Sequence, residues 1–145
     1  MLRGLASADS AAAEVLRAAE RRRFVPLLSK PVLDEYRAVL ADAAIVRRFP
    51  VITPRLLELI IQRLRFVGDY VRAPGVSFRY PRDPSDEKFI ELAIALSATH
   101  IVTADEDLLS LPAGRGDAAR RFRARLPNVR ILQADEFLLE CLRPE

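Results

Sequence analysis

Asp83-Pro-Ser-Asp-Glu-Lys-Phe-Ile-Glu-Leu-Ala93 and, shortly after it, His100-Ile-Val-Thr-Ala-Asp105 decide the fold of this chain. At about 100° per residue, Asp86, Phe89, Ile90, Ala93 and Leu96 fall on one stripe of a helix, whereas Glu87, Lys88 and Glu91 fall on other sides. The second stretch is a short apolar run ended by an acid, the signature of a buried strand. Helix followed by buried strand suggests a parallel sheet with its faces covered. Asp105 then stands at the carboxyl end of a strand, where open parallel sheets build their sites.

The same alternation extends outward in both directions. Residues 9–22 show helical spacing, with Ala12, Val15, Leu16 and Ala19 on one side. Val25-Pro-Leu-Leu-Ser29 is long enough for a strand. Ser29 is placed to cap a helix with Pro31 in its first turn, expected to run to about Phe49. Thr53-Pro54 opens another helix, through Leu57 and Ile61, to about Val71. Residues 72–84 contain Pro74, Gly75, Pro81 and Pro84 and read as a loop or edge segment. Ser85 is the expected cap of a helix over 86–97. Strands at 100–104 and 129–132 and a closing helix over 134–142 complete the order. With no internal repeat and no low-complexity linker, the 145 residues read as one α/β domain.

Composition removes several classes of function. Half the residues are hydrophobic and 30% charged, a globular balance. The single cysteine, Cys141, makes no internal disulfide and fits a cytoplasmic protein. No apolar run approaches the length of a membrane span, so no membrane partner is expected. His100 is the only histidine and opens a strand, which argues against Ser-His-Asp or Cys-His chemistry. Gly114-Arg-Gly116 lacks the lysine and threonine of a P-loop. Asp86-Glu87-Lys88 superficially resembles restriction-type nucleases, but it starts a helix instead of lying along a strand.

Charge distribution is more informative than the net +3. Residues 83–107 hold seven acids against Lys88; residues 115–130 hold six arginines against Asp117. An acidic knot beside basic segments is what a metal site facing a polyanion requires. A solvated helix face explains the arginines equally well. Asp86 is different: it lies on the core-facing stripe. A role as a helix-dipole acid, worth about 0.3–1 kcal/mol, could be filled by Glu87 from the solvent side. On the helix after Ser29, Val32, Tyr36, Val39, Leu40 and Ala43 form the apolar face. Glu35 borders that face and Asp34 points away from it. A border acid such as Glu35 is commonly just a solvated flank. Glu35, Asp86 and Asp105 converging on one sheet edge are better evidence than any one of them, and oxygen-only ligands suit Mg²⁺ or Mn²⁺.

The two decisive stretches, the second extended through Glu106-Asp107-Leu-Leu109, closely resemble the PIN-domain family, in particular toxin components of bacterial toxin–antitoxin pairs. Leu28-Ser-Lys-Pro-Val-Leu-Asp-Glu35-Tyr36 is similar to the family segment that carries its second acid, and Val129-Arg-Ile-Leu132 fits the family's closing strand. The resemblance implies a three-layer α/β/α PIN-like domain with a parallel central sheet. It also implies a metal-dependent ribonuclease, often a homodimer, silenced by a cognate antitoxin. It places metal ligands at Glu35, Asp86 and Asp105, with Asp107 as an accessory ligand and Thr103 as the small polar residue near the site. The family opens with a strand ending in Asp-Thr-Asn, whose aspartate is a principal ligand. Here Met1-Leu-Arg-Gly-Leu-Ala-Ser7 resembles the family segment immediately downstream of that motif, so the first strand is expected to be missing: either the native protein starts further upstream, or this is the true protein and its sheet has closed up or borrows a strand from a second copy. A chain without it is expected to be weakly active or inactive.

The residues are compatible with three functions. The first is hydrolysis of single-stranded RNA, with arginines such as Arg120, Arg121 and Arg123 on the phosphate backbone. The second is a non-catalytic, degenerate PIN module that binds RNA or an antitoxin. The third is a phosphoacceptor centred on Asp105; it would need a lysine near another strand end, and the two lysines, Lys30 and Lys88, sit near helix starts.

Overall fold

The computed structural model describes residue 11 and residues 13–48 and 53–141. The expectations for residues 1–10, Ala12, Phe49 and Leu142, and for the side chains of Leu40 and Cys141, lie outside the described residues.

The first described helix is α1 (13–20), whose Ala18 and Ala19 are buried. Strand β1 (Leu27–Ser29) feeds α2 (Lys30–Ala41), capped as expected by the Ser29 hydroxyl, which accepts from the Val32 amide at 3.3 Å. The expected continuous helix to Phe49 is broken at Asp42. That residue adopts extended backbone, and its carboxylate accepts from the Ala44 amide at 2.9 Å to start α3 (Ala43–Arg48). An aspartate that can cap a new helix competes with continuation of the old one.

Helix α4 (Pro54–Val67) begins at Thr53 as expected, its hydroxyl accepting from Leu56. It ends four residues earlier than the hydrophobic spacing suggests. At Gly68 the backbone passes so close to β1 that a Cβ would collide with the Pro26 carbonyl oxygen. Residues 69–71 then form a strand, β2 (Asp69–Val71), instead of a last helical turn. It pairs in parallel with β1, with Leu28 opposite Tyr70.

Residues 72–80 run as an irregular extended segment along α5 (Glu87–Ala95). Two α5 glutamates take the place of a strand partner: Glu91 accepts from the Phe78 amide at 3.1 Å and Glu87 from the Tyr80 amide at 2.7 Å. A 3₁₀ turn (Pro84–Asp86) precedes α5, and its cap is Asp83 rather than the expected Ser85. After α5 come β3 (His100–Val102), a short helix α6 (Glu106–Ser110) that the hydrophobic spacing did not reveal, α7 (Asp117–Arg125), β4 (Arg130–Leu132) and α8 (Ala134–Cys141). β3 and β4 pair in parallel, with Ile101 opposite Ile131.

The parallel α/β plan is thus the expected one, but the strands do not form one continuous sheet. Among the described residues they make two separate parallel pairs, β1–β2 and β3–β4. The main core lies with the second pair, where Phe78, Tyr80 and Ile90 pack with Phe122 beneath α6 and α7. A smaller cluster of Leu28, Leu33, Leu57 and Ile61 supports the first.

Candidate metal centre

Asp83, Asp86 and Asp105 come together through local geometry at two chain turns. In a 3₁₀ turn, side chains three residues apart eclipse one another, so Asp83 as cap and Asp86 as the last residue of the turn face the same way. Asp105 follows β3 and caps α6, its Oδ1 accepting from the Asp107 amide at 2.9 Å. The Asp105 amide in turn donates to Thr103 Oγ1 at 3.0 Å, which fixes the strand exit. Each of the three aspartates offers a carboxylate oxygen within 4.8 Å of the other two.

Asp86 is the unusual member. It is only 5% exposed, and its Oδ2 is buried with no hydrogen-bond partner among the described residues. A buried, unsatisfied carboxylate oxygen costs on the order of 1–3 kcal/mol or more. Burial, reinforced by the neighbouring Asp105 and Asp83 carboxylates, raises the Asp86 carboxyl from its ordinary value to about 7. Asp83 moves the other way: hydrogen bonds from Ser85, whose hydroxyl lies 2.5 Å from Oδ1, hold it below the ordinary carboxylate value. The Tyr80 phenol is raised, first by burial and then by the charge of Asp107; its hydroxyl donates to the Asp107 carbonyl at 3.2 Å.

The flanking acids have protein cations of their own. The Glu35 carboxylate lies 3.1 Å from Lys88 Nζ, two residues beyond Asp86. Asp107 Oδ1 lies 2.9 Å from Arg82 Nε. Of the acids singled out from the sequence, the structure therefore brings Asp86 and Asp105 together, and places Glu35 and Asp107 in ion pairs. It adds Asp83, which sequence reasoning passed over. The available signal was its position three residues ahead of Asp86 across a Pro-Ser pair.

The three arginines also divide. Arg121 pairs with Asp117, donates to the Arg79 carbonyl at 2.9 Å and lies over the Phe78 ring. Arg123 donates to the carbonyls of Pro112 and Gly114. Arg120 is exposed. His100 packs edge-on against Phe137, with its Nδ1 2.8 Å from Thr99 Oγ1.

Three carboxylates at a strand end, one of them buried with an orphaned oxygen, fit a hard divalent cation. Such an ion satisfies the oxygen and favours the ionised form of Asp86. A zinc site built from nitrogen and sulfur ligands does not fit, because the cluster contains neither histidine nor cysteine. Among the described residues, no helix is long and apolar enough to cross a membrane. The family model described as PIN domain matches residues 1–107. No curated protein and no solved structure gives a match.

Proposed function

The chain belongs to the PIN domain family, and on that premise we propose that it is the ribonuclease toxin of a toxin–antitoxin pair, acting on single-stranded RNA with Mg²⁺ or Mn²⁺. PIN domains are generally nucleases that use divalent metals, and the observation that carries the proposal here is the orphaned, buried Oδ2 of Asp86 beside Asp83 and Asp105. In this reading Asp86 and Asp105 are the principal ligands and Asp83 supports them. Glu35 is a further ligand when it exchanges Lys88 for the cation, and Asp107 is an accessory that holds Arg82 near the site. Thr103 keeps Asp105 in place through its hydroxyl.

A bound cation would supply an activated water and charge stabilisation for phosphodiester hydrolysis. The chain's own contribution is to position the carboxylates and to exclude solvent from Asp86. It also presents positive charge to the phosphate backbone. Arg120 is the arginine best suited to that task, since Arg121 and Arg123 also hold loop carbonyls. RNA is the proposed substrate, a cognate antitoxin and a second copy the proposed protein partners, and the cytoplasm the proposed compartment.

The 145-residue sequence contains no Asp-Thr-Asn. We propose that a first strand ending in that motif completes the ligand set, and that this chain alone cuts RNA weakly or not at all. The experiment is cleavage of a labelled single-stranded RNA with Mn²⁺ and with chelator. This chain is run beside one extended by such a strand, each with and without Asp86→Asn. Cleavage by the extended chain that disappears with chelator and with Asp86→Asn supports the assignment. Cleavage that survives Asp86→Asn contradicts it. RNA binding without cutting in both chains, falling with salt but indifferent to metal, favours a degenerate binding module.

A further inference from the structure

Arg82 immediately precedes Asp83, on the turn that carries Asp83 and Asp86. Its Nε lies 2.9 Å from Oδ1 of Asp107, in the first turn of α6, the helix that Asp105 caps. The guanidinium thus reaches from one carboxylate-bearing turn to the other. The buried Tyr80 phenol shows how closely these groups gather. Its hydroxyl donates to the Asp107 carbonyl and feels the charges of Asp107, Arg82, Asp86 and Asp105.

Lys88 and Arg82 are the cations beside the acidic cluster, and they differ in what they can offer a ligand. Lys88 is largely covered, with its ammonium held against Glu35. Arg82 is 67% exposed, and Asp107 meets it at Nε. The outer edge of the guanidinium, Nη1 and Nη2, has no acceptor among the described residues. On α7, by contrast, Arg121 and Arg123 donate to the carbonyls of Arg79, Pro112 and Gly114.

Folding explains this arginine poorly. An exposed ion pair adds little stability, and an acid in the first turn of α6 already faces the positive end of a helix. Recognition explains it better. A planar fork fixed at one edge presents two parallel N–H donors at the other, the spacing that two non-bridging phosphate oxygens match. The surrounding carboxylates repel a phosphate until a divalent cation neutralises them. Arg82 should therefore hold phosphate strongly only when that cation is present.

We propose that Arg82 is a substrate-contacting residue, whose outer guanidinium edge holds the two non-bridging oxygens of the RNA phosphodiester that docks at Asp83, Asp86 and Asp105. Asp107 fixes the fork from behind. The proposal rests on the metal-dependent nuclease reading and adds to it the group that recognises the phosphate at the reacting position. Arg120, on α7, is left to the rest of the backbone.

The test is equilibrium binding of a fluorescent single-stranded RNA of roughly ten nucleotides, within the footprint of single-strand binders. Wild type, Arg82→Met, Arg82→Lys and Arg120→Ala are each titrated with Mn²⁺ and with chelator, the RNA being checked to remain intact. Mn²⁺ affinity and melting temperature are measured on every variant. Arg82→Met is expected to weaken RNA binding about tenfold to a hundredfold with Mn²⁺, but less than about threefold with chelator. Its Mn²⁺ affinity should change by less than about threefold, with the melting temperature in place. Arg82→Lys, which keeps the charge and loses the fork, should recover only part of the loss. It decides the question if the Met variant is unfolded. Arg120→Ala should weaken binding equally in both conditions. An equal loss for Arg82→Met with and without Mn²⁺ would overturn the proposal and make Arg82 a general backbone contact. Full recovery by lysine would overturn the two-oxygen contact, and unchanged binding would leave Arg82 an exposed ion pair only. Wild-type RNA binding that ignores Mn²⁺ would remove the metal-dependent reading itself, and this proposal with it.

Discussion

Glu35 and Asp107 stand at the same end of the fold as Asp83, Asp86 and Asp105, yet the two sets are neutralised differently. Glu35 is held by Lys88 and Asp107 by Arg82, both partly exposed pairs in which water screens the charges. Asp83, Asp86 and Asp105 form no ion pair among the described residues, and the most buried of them keeps an oxygen with no partner. The fold pairs the outer acids with cations and leaves the inner ones unpaired among the described residues, so the charge of Asp86 is answered by a proton below about pH 7 and is open to a cation above it. That contrast narrows the candidate cation site further than the abundance of acid in this part of the chain does.

The strongest way to break the contrast is Asp86→Asn. It should reduce Mn²⁺ affinity by more than about a hundredfold, beyond the 10–100-fold typical of outer-shell partners. At pH 8 it should also stabilise the metal-free chain by about 1–3 kcal/mol, because an amide replaces a buried unpaired charge. Calorimetric titration and thermal melts read the two effects together. Weaker binding with a lower melting temperature would point to a damaged fold instead.

The next effect is that of pH. The Asp86 carboxyl, raised to about 7, holds a proton in the folded metal-free chain that the unfolded chain sheds near 4. The folded state thus binds more protons between about pH 4 and 7, and metal-free stability should decline as pH rises through that window. Metal affinity should run the opposite way. It should fall up to about tenfold per unit as pH drops below 7, because the ion must displace that proton. Titrations at pH 6, 7 and 8 test both signs.

Lys88→Met sharpens the comparison from the other side. Releasing Glu35 and removing a positive charge near the cluster should raise Mn²⁺ affinity by about threefold to tenfold. Arg82→Met, at a more exposed pair, should change it by less than about threefold. Equal effects would remove the distinction between the two flanking pairs. The smallest expected change concerns the arginines. Arg120→Ala should lower the salt slope of RNA binding by about 0.7, one phosphate contact on a single strand, and leave the melting temperature in place. Arg121→Ala, which removes the contacts to Asp117 and the Arg79 carbonyl, should lower the melting temperature as well.

Much of this was legible in the sequence because local chemistry and tertiary packing agree. Ser29 and Thr53 cap the helices they precede, and the stripe through Phe89, Ile90 and Ala93 carries Asp86 inward. The misreadings arise where a single backbone contact overrides periodicity. Gly68 ends α4 because it passes against Pro26, and the hydrophobic spacing through Val71 conceals a strand. Asp42 breaks a helix whose apolar pattern continues. Asp83 was overlooked because its part in the cluster depends on the 3₁₀ turn, which helical periodicity does not describe. The ion pairs of Glu35 and Asp107 depend on where Lys88 and Arg82 come to lie, and residue spacing does not reveal that.

The most direct test of the metal centre is the binding of Mn²⁺ alone to this chain, followed by electron paramagnetic resonance at pH 8 for the wild type and Asp86→Asn. The account predicts one ion per chain for the wild type and loss of that ion in a variant that melts at or above the wild-type temperature. Undiminished binding by the folded variant would contradict it and move any cation site away from Asp83, Asp86 and Asp105.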